Sequence, residues 1–169
     1  MRARLLACAG LACVVAASTA LAQDVSDVEV RSCYEAGTTV EAREACIAVA
    51  SNTCQTQHTD GGSTLGITLC NQGETLVWDR ILNEEYQATM AWAKEADALE
   101  AETFPEFANM ESSLRDAQRA WIGFRDAECG FAYAFWGAGS MRNIAATQCL
   151  MTQTAERAIR LWAIRETQP

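Results

Sequence analysis

The sequence predicts an all-α protein: a disulfide-stapled antiparallel helical bundle forming a single domain after a cleaved signal peptide. Three observations support that expectation. Apolar residues recur at three- and four-residue steps through long segments. Runs of β-branched residues at alternating spacing are few, which argues against a sheet. Two downstream runs, residues 114–129 (LRDAQRAWIGFRDAEC) and 149–161 (CLMTQTAERAIRL), carry matched polar groups, and each has a cysteine near a shared glycine-rich turn. That is the layout of a stapled helical hairpin.

Residues 1–22 read as a secretory signal, with Arg2 and Arg4, an apolar stretch over 5–17, and Ala20-Leu21-Ala22 ahead of Gln23. The stretch is shorter than the ~20 residues of a membrane span. Lipid attachment at Cys8 or Cys13 is the rival reading. Leu5-Leu6-Ala7-Cys8 leaves almost no apolar segment before it, and Gly10-Leu11-Ala12-Cys13 lacks the aliphatic residue expected three positions earlier. Cleavage after Ala22 leaves 147 residues, enough for one domain with its own core. These divide into a cysteine-containing extension at 23–62 and a helical domain at 63–169. The expected location is periplasmic or secreted.

Processing reduces eight cysteines to six: Cys33, Cys46, Cys54, Cys70, Cys129 and Cys149. An even count in an exported chain implies disulfides, although six cysteines allow about 15 pairings. Spacing favours neighbours, Cys33–Cys46, Cys54–Cys70 and Cys129–Cys149, and each short loop contributes roughly 3 kcal/mol by restricting the unfolded chain. A zinc site is not expected, because no CxxC occurs and His58 is the only histidine. Losing Arg2 and Arg4 moves the formal net charge from −9 to −11. Such acidity argues against nucleic acid or anionic lipid as partner and favours a cationic one, or serves solubility alone.

Within the extension, Thr38-x-x-Glu41 resembles a capping box opening a helix through VEAREACIAVA, with loops on either side holding Cys33 and Cys54. HTDGG at 58–62 reads as a turn. A long helix is expected over 64–100, its apolar face marked by Leu69, Leu76, Trp78, Leu82, Tyr86, Met90 and Ala93, with Gly66 and Gly73 weakening its start. Pro105 suits the beginning of the next helix, after Thr103 as cap. That helix presents Leu114, Ala117, Trp121, Phe124 and Phe131 on one side and runs to about 136. Gly137-Ala138-Gly139-Ser140 breaks it. The last helix, over 141–166, presents Ile144, Met151, Ala155, Ile159 and Trp162.

Several of these residues fall in a recognisable order: Asp79-x-x-Leu82-Asn83-x-x-Tyr86, then Gln118-Arg119-x-Trp121-x-x-x-Arg125-Asp126-x-x-Cys129, then Cys149 with Thr154-x-x-Arg157. The pattern resembles the LprI-like lysozyme-inhibitor N-terminal family of small exported bacterial helical domains, over residues 54 to 161. The resemblance implies Cys54 and Cys70 as its N-terminal cysteine pair and Cys129 and Cys149 as its C-terminal pair, with Cys33 and Cys46 added upstream. It also implies a cationic lysozyme as partner. The motif residues have structural readings. Trp121 and Arg125 lie four apart on one helical face, within reach of a cation–π contact. Asp79 and Asn83 form a similar pair, which Arg125 and Arg157 are expected to reach across the bundle.

The better place for function is the loop with Gly137, Gly139, Ser140 and Arg142, tied at its base by a disulfide and held on a rigid scaffold. Lysozyme cleaves glycans with two carboxyl groups in a cleft, and Ser140 or Arg142 is placed to hydrogen-bond them. No catalysis is expected: His58 stands alone without a nucleophile, and the mature cysteines are paired. No cofactor is implied. The alternative is an envelope structural or interaction module of unknown partner with no inhibitory activity.

Overall fold

The computed structural model describes residues 25–167, so the expected signal segment, with Cys8 and Cys13, lies outside the described residues. Among these, six α-helices follow one another: α1 (Asp27–Ala36), α2 (Val40–Glu44), α3 (Val49–Gln57), α4 (Thr64–Glu100), α5 (Met110–Phe135) and α6 (Met141–Thr167). A single 3-10 turn, Pro105–Phe107, separates α4 from α5, and no strand is present among the described residues. The α4–α6 pair forms the spine. α5 packs on both, α1 and α3 pack on α4, and α2 packs on α6.

The 37 residues of α4 match the expected bounds. Ser63 caps it, accepting from the Gly66 amide at 3.0 Å. Gly66 is not a weak point. A side chain there would meet the Asp60 carbonyl oxygen at 2.1 Å, so the close approach of the 58–62 turn to the helix requires glycine. Trp78, Leu82 and Ala93 are buried as the periodicity predicts, whereas Leu76 is exposed. Val77, Trp78, Ile81 and Leu82 form one buried cluster with Met151, Ala155, Ile159 and Leu161 of α6. Burying side chains of this size contributes about 1.5–3 kcal/mol each.

The N-terminal part departs from expectation. Cys33 lies in α1 and Cys54 in α3, not in loops. Ser26 caps α1, accepting from the Glu29 amide at 3.1 Å. Thr39, not Thr38, caps α2, accepting from the Ala42 amide at 3.1 Å, and α2 ends after five residues. A turn with Ala48 at φ 71° then starts α3, which has no side-chain cap of its own. Its cap comes from another helix. Glu74 of α4, fully buried, accepts from the Ala48 amide at 2.7 Å, the Ser51 amide at 2.6 Å and the Trp78 indole N–H at 2.8 Å. A carboxylate at a helix N-terminus meets both the free amides and the positive end of the dipole.

The same device recurs at α5. Asn109 makes no side-chain cap. Asp97 of α4 instead accepts from the Met110 and Glu111 amides at 2.7 and 2.8 Å. Pro105 therefore opens the 3-10 turn rather than α5, and Thr103 does not cap it. The three disulfides join Cys33–Cys46, Cys54–Cys70 and Cys129–Cys149, with Cα atoms 5.8, 5.8 and 5.4 Å apart. Arg43 is buried between Tyr34 and Trp162, its guanidinium 4.0 and 3.8 Å from the ring centroids, and its Nε donates to the Gly37 carbonyl at 2.9 Å. That stack pins α1 and α2 to the end of α6.

Glu74→Gln keeps the shape but turns an N–H donor toward one of the donors now satisfied, so it is expected to lower stability by about 1–3 kcal/mol in urea denaturation. Burial raises the Glu74 pKa, with the three N–H donors opposing. The folded chain therefore holds that proton longer than the unfolded chain. The group's contribution falls as pH rises from the ordinary carboxylate range, about 4.3, through the raised value. The Gln variant should lack this decline when midpoints are compared across pH.

At α1 the sign reverses. Arg31 forks onto Glu84 with two bonds of 2.8 Å, and Asp27 pairs with Arg80 and with Arg31. The Arg80 hydrogen bond lowers the Asp27 pKa, and the Arg31 hydrogen bond lowers that of Glu84. Their contribution is present above the unfolded carboxylate pKa and lost as pH falls through the lowered values. Acidification from about pH 6 to pH 3 is expected to lower hydrogen-exchange protection factors, corrected for the intrinsic pH dependence of exchange, in α1 before it does so in α6.

Candidate functional site

The α5–α6 hairpin holds both the recurrent motif and the expected contact loop, and they sit at different places on it. At the tip, Gly137 adopts φ 52°, a conformation that favours glycine, and its amide donates to the Ala134 carbonyl at 3.0 Å. The Gly139 amide donates to the Trp136 carbonyl at 2.8 Å, closing a tight turn. Ser140 is exposed, as are Gly137 and Gly139. Arg142 is half-buried, its guanidinium 5.1 Å from the Tyr133 ring centroid. About two helical turns below, Cys129–Cys149 locks α5 to α6.

Around this turn lies a feature that periodicity did not reveal. Phe131 and Phe135 are 64% and 71% exposed and meet edge-to-face with centroids 6.3 Å apart. Phe135 and Trp136 continue the row at 5.9 Å, and Met141 lies exposed across the turn. Phe124, seven residues before Phe131 on the same face of α5, is 56% exposed. Phe124, Phe131 and Ala117 were expected on the inner side of α5, yet they face outward. The inner side is instead the stripe of Leu114, Gln118, Trp121, Arg125 and Cys129, about 100° round the helix. Only Cys129 among the α5 residues is buried.

That inner stripe coincides with the motif. Arg157 of α6 donates from Nε to the Gln118 Oε1 at 2.9 Å, a direct bond between the two helices. Trp121 is half-buried and packs against the core. The Arg125 and Arg157 guanidinium groups lie 5.1 and 5.7 Å from its ring centroid. Neither arginine reaches Asp79 or Asn83, contrary to expectation. Arg125 is taken by the adjacent Asp126 at 3.0 and 2.9 Å, and Arg157 by Gln118. Asp79 and Asn83 stay exposed on α4 with a 3.4 Å bond between them. Leu82 is buried, and Tyr86 packs half-buried against the core. Thr154 is fully buried, and its hydroxyl has no hydrogen-bond partner.

Sequence reasoning missed Glu74, Asp97 and Arg43 as organising groups. Glu74 left one signal, a carboxylate four residues before Trp78 inside an otherwise apolar face. Among the described residues, no group of three or more His, Cys, Asp or Glu side chains is arranged to hold a metal ion, and no helix is long and apolar enough to cross a membrane.

Because Asp79 and Asn83 bind no arginine, Asp79→Ala is expected to change stability by less than about 0.5 kcal/mol. Gln118→Ala, which strips the half-buried Arg157 of its acceptor, should cost about 1–3 kcal/mol in the same denaturation assay.

Comparison with known proteins agrees with this geometry. The model of the family described as Lysozyme inhibitor LprI matches residues 54–161, which span α4, α5 and most of α6. An uncharacterized protein of Rhizobium meliloti (strain 1021) is 29% identical over 105 residues, covering 62% of this chain and 76% of that protein. No solved structure matches. With two of its three cysteine pairs and its Gln118–Arg157 bond within the matched span, which covers more than half of the chain, the chain belongs to the LprI lysozyme inhibitor family.

Proposed function

We propose that this protein is a periplasmic or secreted inhibitor of lysozyme that acts by binding at the α5–α6 tip and entering the lysozyme cleft, without catalysis of its own. The observation behind the reading is the exposed row of Phe131, Phe135 and Trp136 beside a disulfide-tied turn. Exposed aromatics on a rigid support are the side chains that dominate protein–protein binding energy. Ser140 and Arg142 flank that row and supply donors for the two cleft carboxyl groups. The net charge of −9 favours encounter with a cationic enzyme. Three disulfides fit an extracytoplasmic setting.

A second reading, an envelope interaction module without inhibitory activity, is favoured by one observation. The exposed apolar face does not stop at the tip but includes Phe124, about two turns farther down α5, farther than a cleft plug requires.

A lysozyme activity titration with the oxidised protein separates the two. Inhibition is expected at about 1–10 μM, weakened at least tenfold by Ser140→Ala combined with Arg142→Ala and again by Phe135→Ser. If several lysozyme types run at full rate at that concentration, the module reading stands. If the double variant inhibits as well as the parent, the tip turn is not the contact.

A further inference from the structure

Away from the tip, on the flank of the same hairpin, Trp121, Gln153, Glu156, Arg157 and Arg160 line a pocket of about 260 Å³. Arg157 lies 16 residues into α6, about 24 Å along the axis from Met141, so this pocket is separate from the turn. Its two arginines are unusual in so acidic a chain. Arg157 makes one hydrogen bond, to a neutral amide, and no ion pair among the described residues. Arg160 makes neither among them, although the chain has 22 acidic residues against 13 basic ones. By contrast Arg31, Arg80, Arg115, Arg119, Arg125 and Arg165 all pair with carboxylates. Burial, and then the adjacent Arg160 charge, lower the Arg157 pKa, the mark of a half-buried cation without a counter-charge.

The remaining lining has its own chemistry. Trp121 offers an apolar wall, Gln153 an amide that donates and accepts, and Glu156 a carboxylate that accepts from hydroxyls. An aromatic wall with planar polar groups suits a ring with an apolar face and hydroxyl edges. Two unpaired guanidinium groups suit a carboxylate on that ring. The volume is below the roughly 300–1,000 Å³ typical of drug-sized ligands, which limits the occupant to a single ring.

We propose that this pocket binds a single sugar ring bearing a carboxylate, with the carboxylate on Arg157 and Arg160, the ring against Trp121, and the hydroxyls on Gln153 and Glu156. The site does not depend on lysozyme inhibition, and its occupancy is read without it.

The test is a titration of the oxidised protein with D-glucuronate, followed through the tryptophan indole N–H resonances, with that of Trp121 assigned by Trp121→Phe. A saturable shift with a Kd of about 1 mM or tighter is expected, while D-glucose at the same concentrations leaves the resonance in place. Arg160→Ala, at an exposed position that leaves the fold intact, should weaken binding about tenfold. Arg157→Lys, which keeps the charge and loses the fork, should do the same. Absence of a saturable shift with glucuronate overturns the proposal. So does an equal response to glucose, an equal response to acetate, or unchanged affinity in either arginine variant.

Discussion

The buried carboxylate of Glu74 is the interaction on which the N-terminal half depends. It satisfies two amides at the start of α3 and the indole of Trp78, a residue at the centre of the α4–α6 core. A charged group taken out of water is tolerated only when its lone pairs are engaged, and here three donors engage them. The arrangement links two requirements. α3 needs an external cap because Ala48, in the left-handed region, has no side chain to supply one. α4 needs something to fix where the short helices dock. Neighbouring polar groups continue the seam, with Ser51 donating to Asn71 and Asn71 to Thr147 of α6. The small helices are thereby held by directional bonds, while apolar burial holds the long ones.

Much of the long-helix framework was legible. The 64–100 segment, the 58–62 turn, the break at 137–140 and the final helix follow from periodicity and glycine placement. The short helices were not. α1 spans ten residues with only Val30 and Tyr34 buried, too few for a periodic signal, and it is held by a bond between Tyr34 and Glu85 and by the Arg31 fork. Caps supplied by Glu74 and Asp97 come from other helices, so no local spacing reports them. The face of α5 was misassigned for a different reason. Aromatic residues occur all round that helix, and large apolar side chains mark a core only when the opposite side is polar. Here the packed stripe mixes Gln118 and Arg125 with Leu114, Trp121 and Cys129, while Phe124, Phe131 and Phe135 stand exposed beside it, so apolar size alone does not mark the packed side.

The motif that identifies the family therefore lies apart from the exposed aromatic face. Gln118, Trp121, Arg125 and Arg157 bind one another between α5 and α6 and set how the two helices meet. The turn beyond them is short and tethered, and its aromatic neighbours are left to solvent. Exposed apolar patches of more than a few hundred Å² are uncommon on monomeric soluble domains and are often functional.

The disulfides have a consequence for how the chain is made. Their partners are 13, 16 and 20 residues apart, and the three loops follow one another without nesting or crossing. A chain emerging N-terminus first into an oxidising space exposes each partner shortly after its mate and before the next pair arrives. The correct pairings are then also the earliest ones available. Crossed bonds, which slow oxidative folding by forcing exchange, have little opportunity to form. The order of cysteines along the chain thus acts as a schedule for assembly, separate from the strength the bonds lend the finished fold.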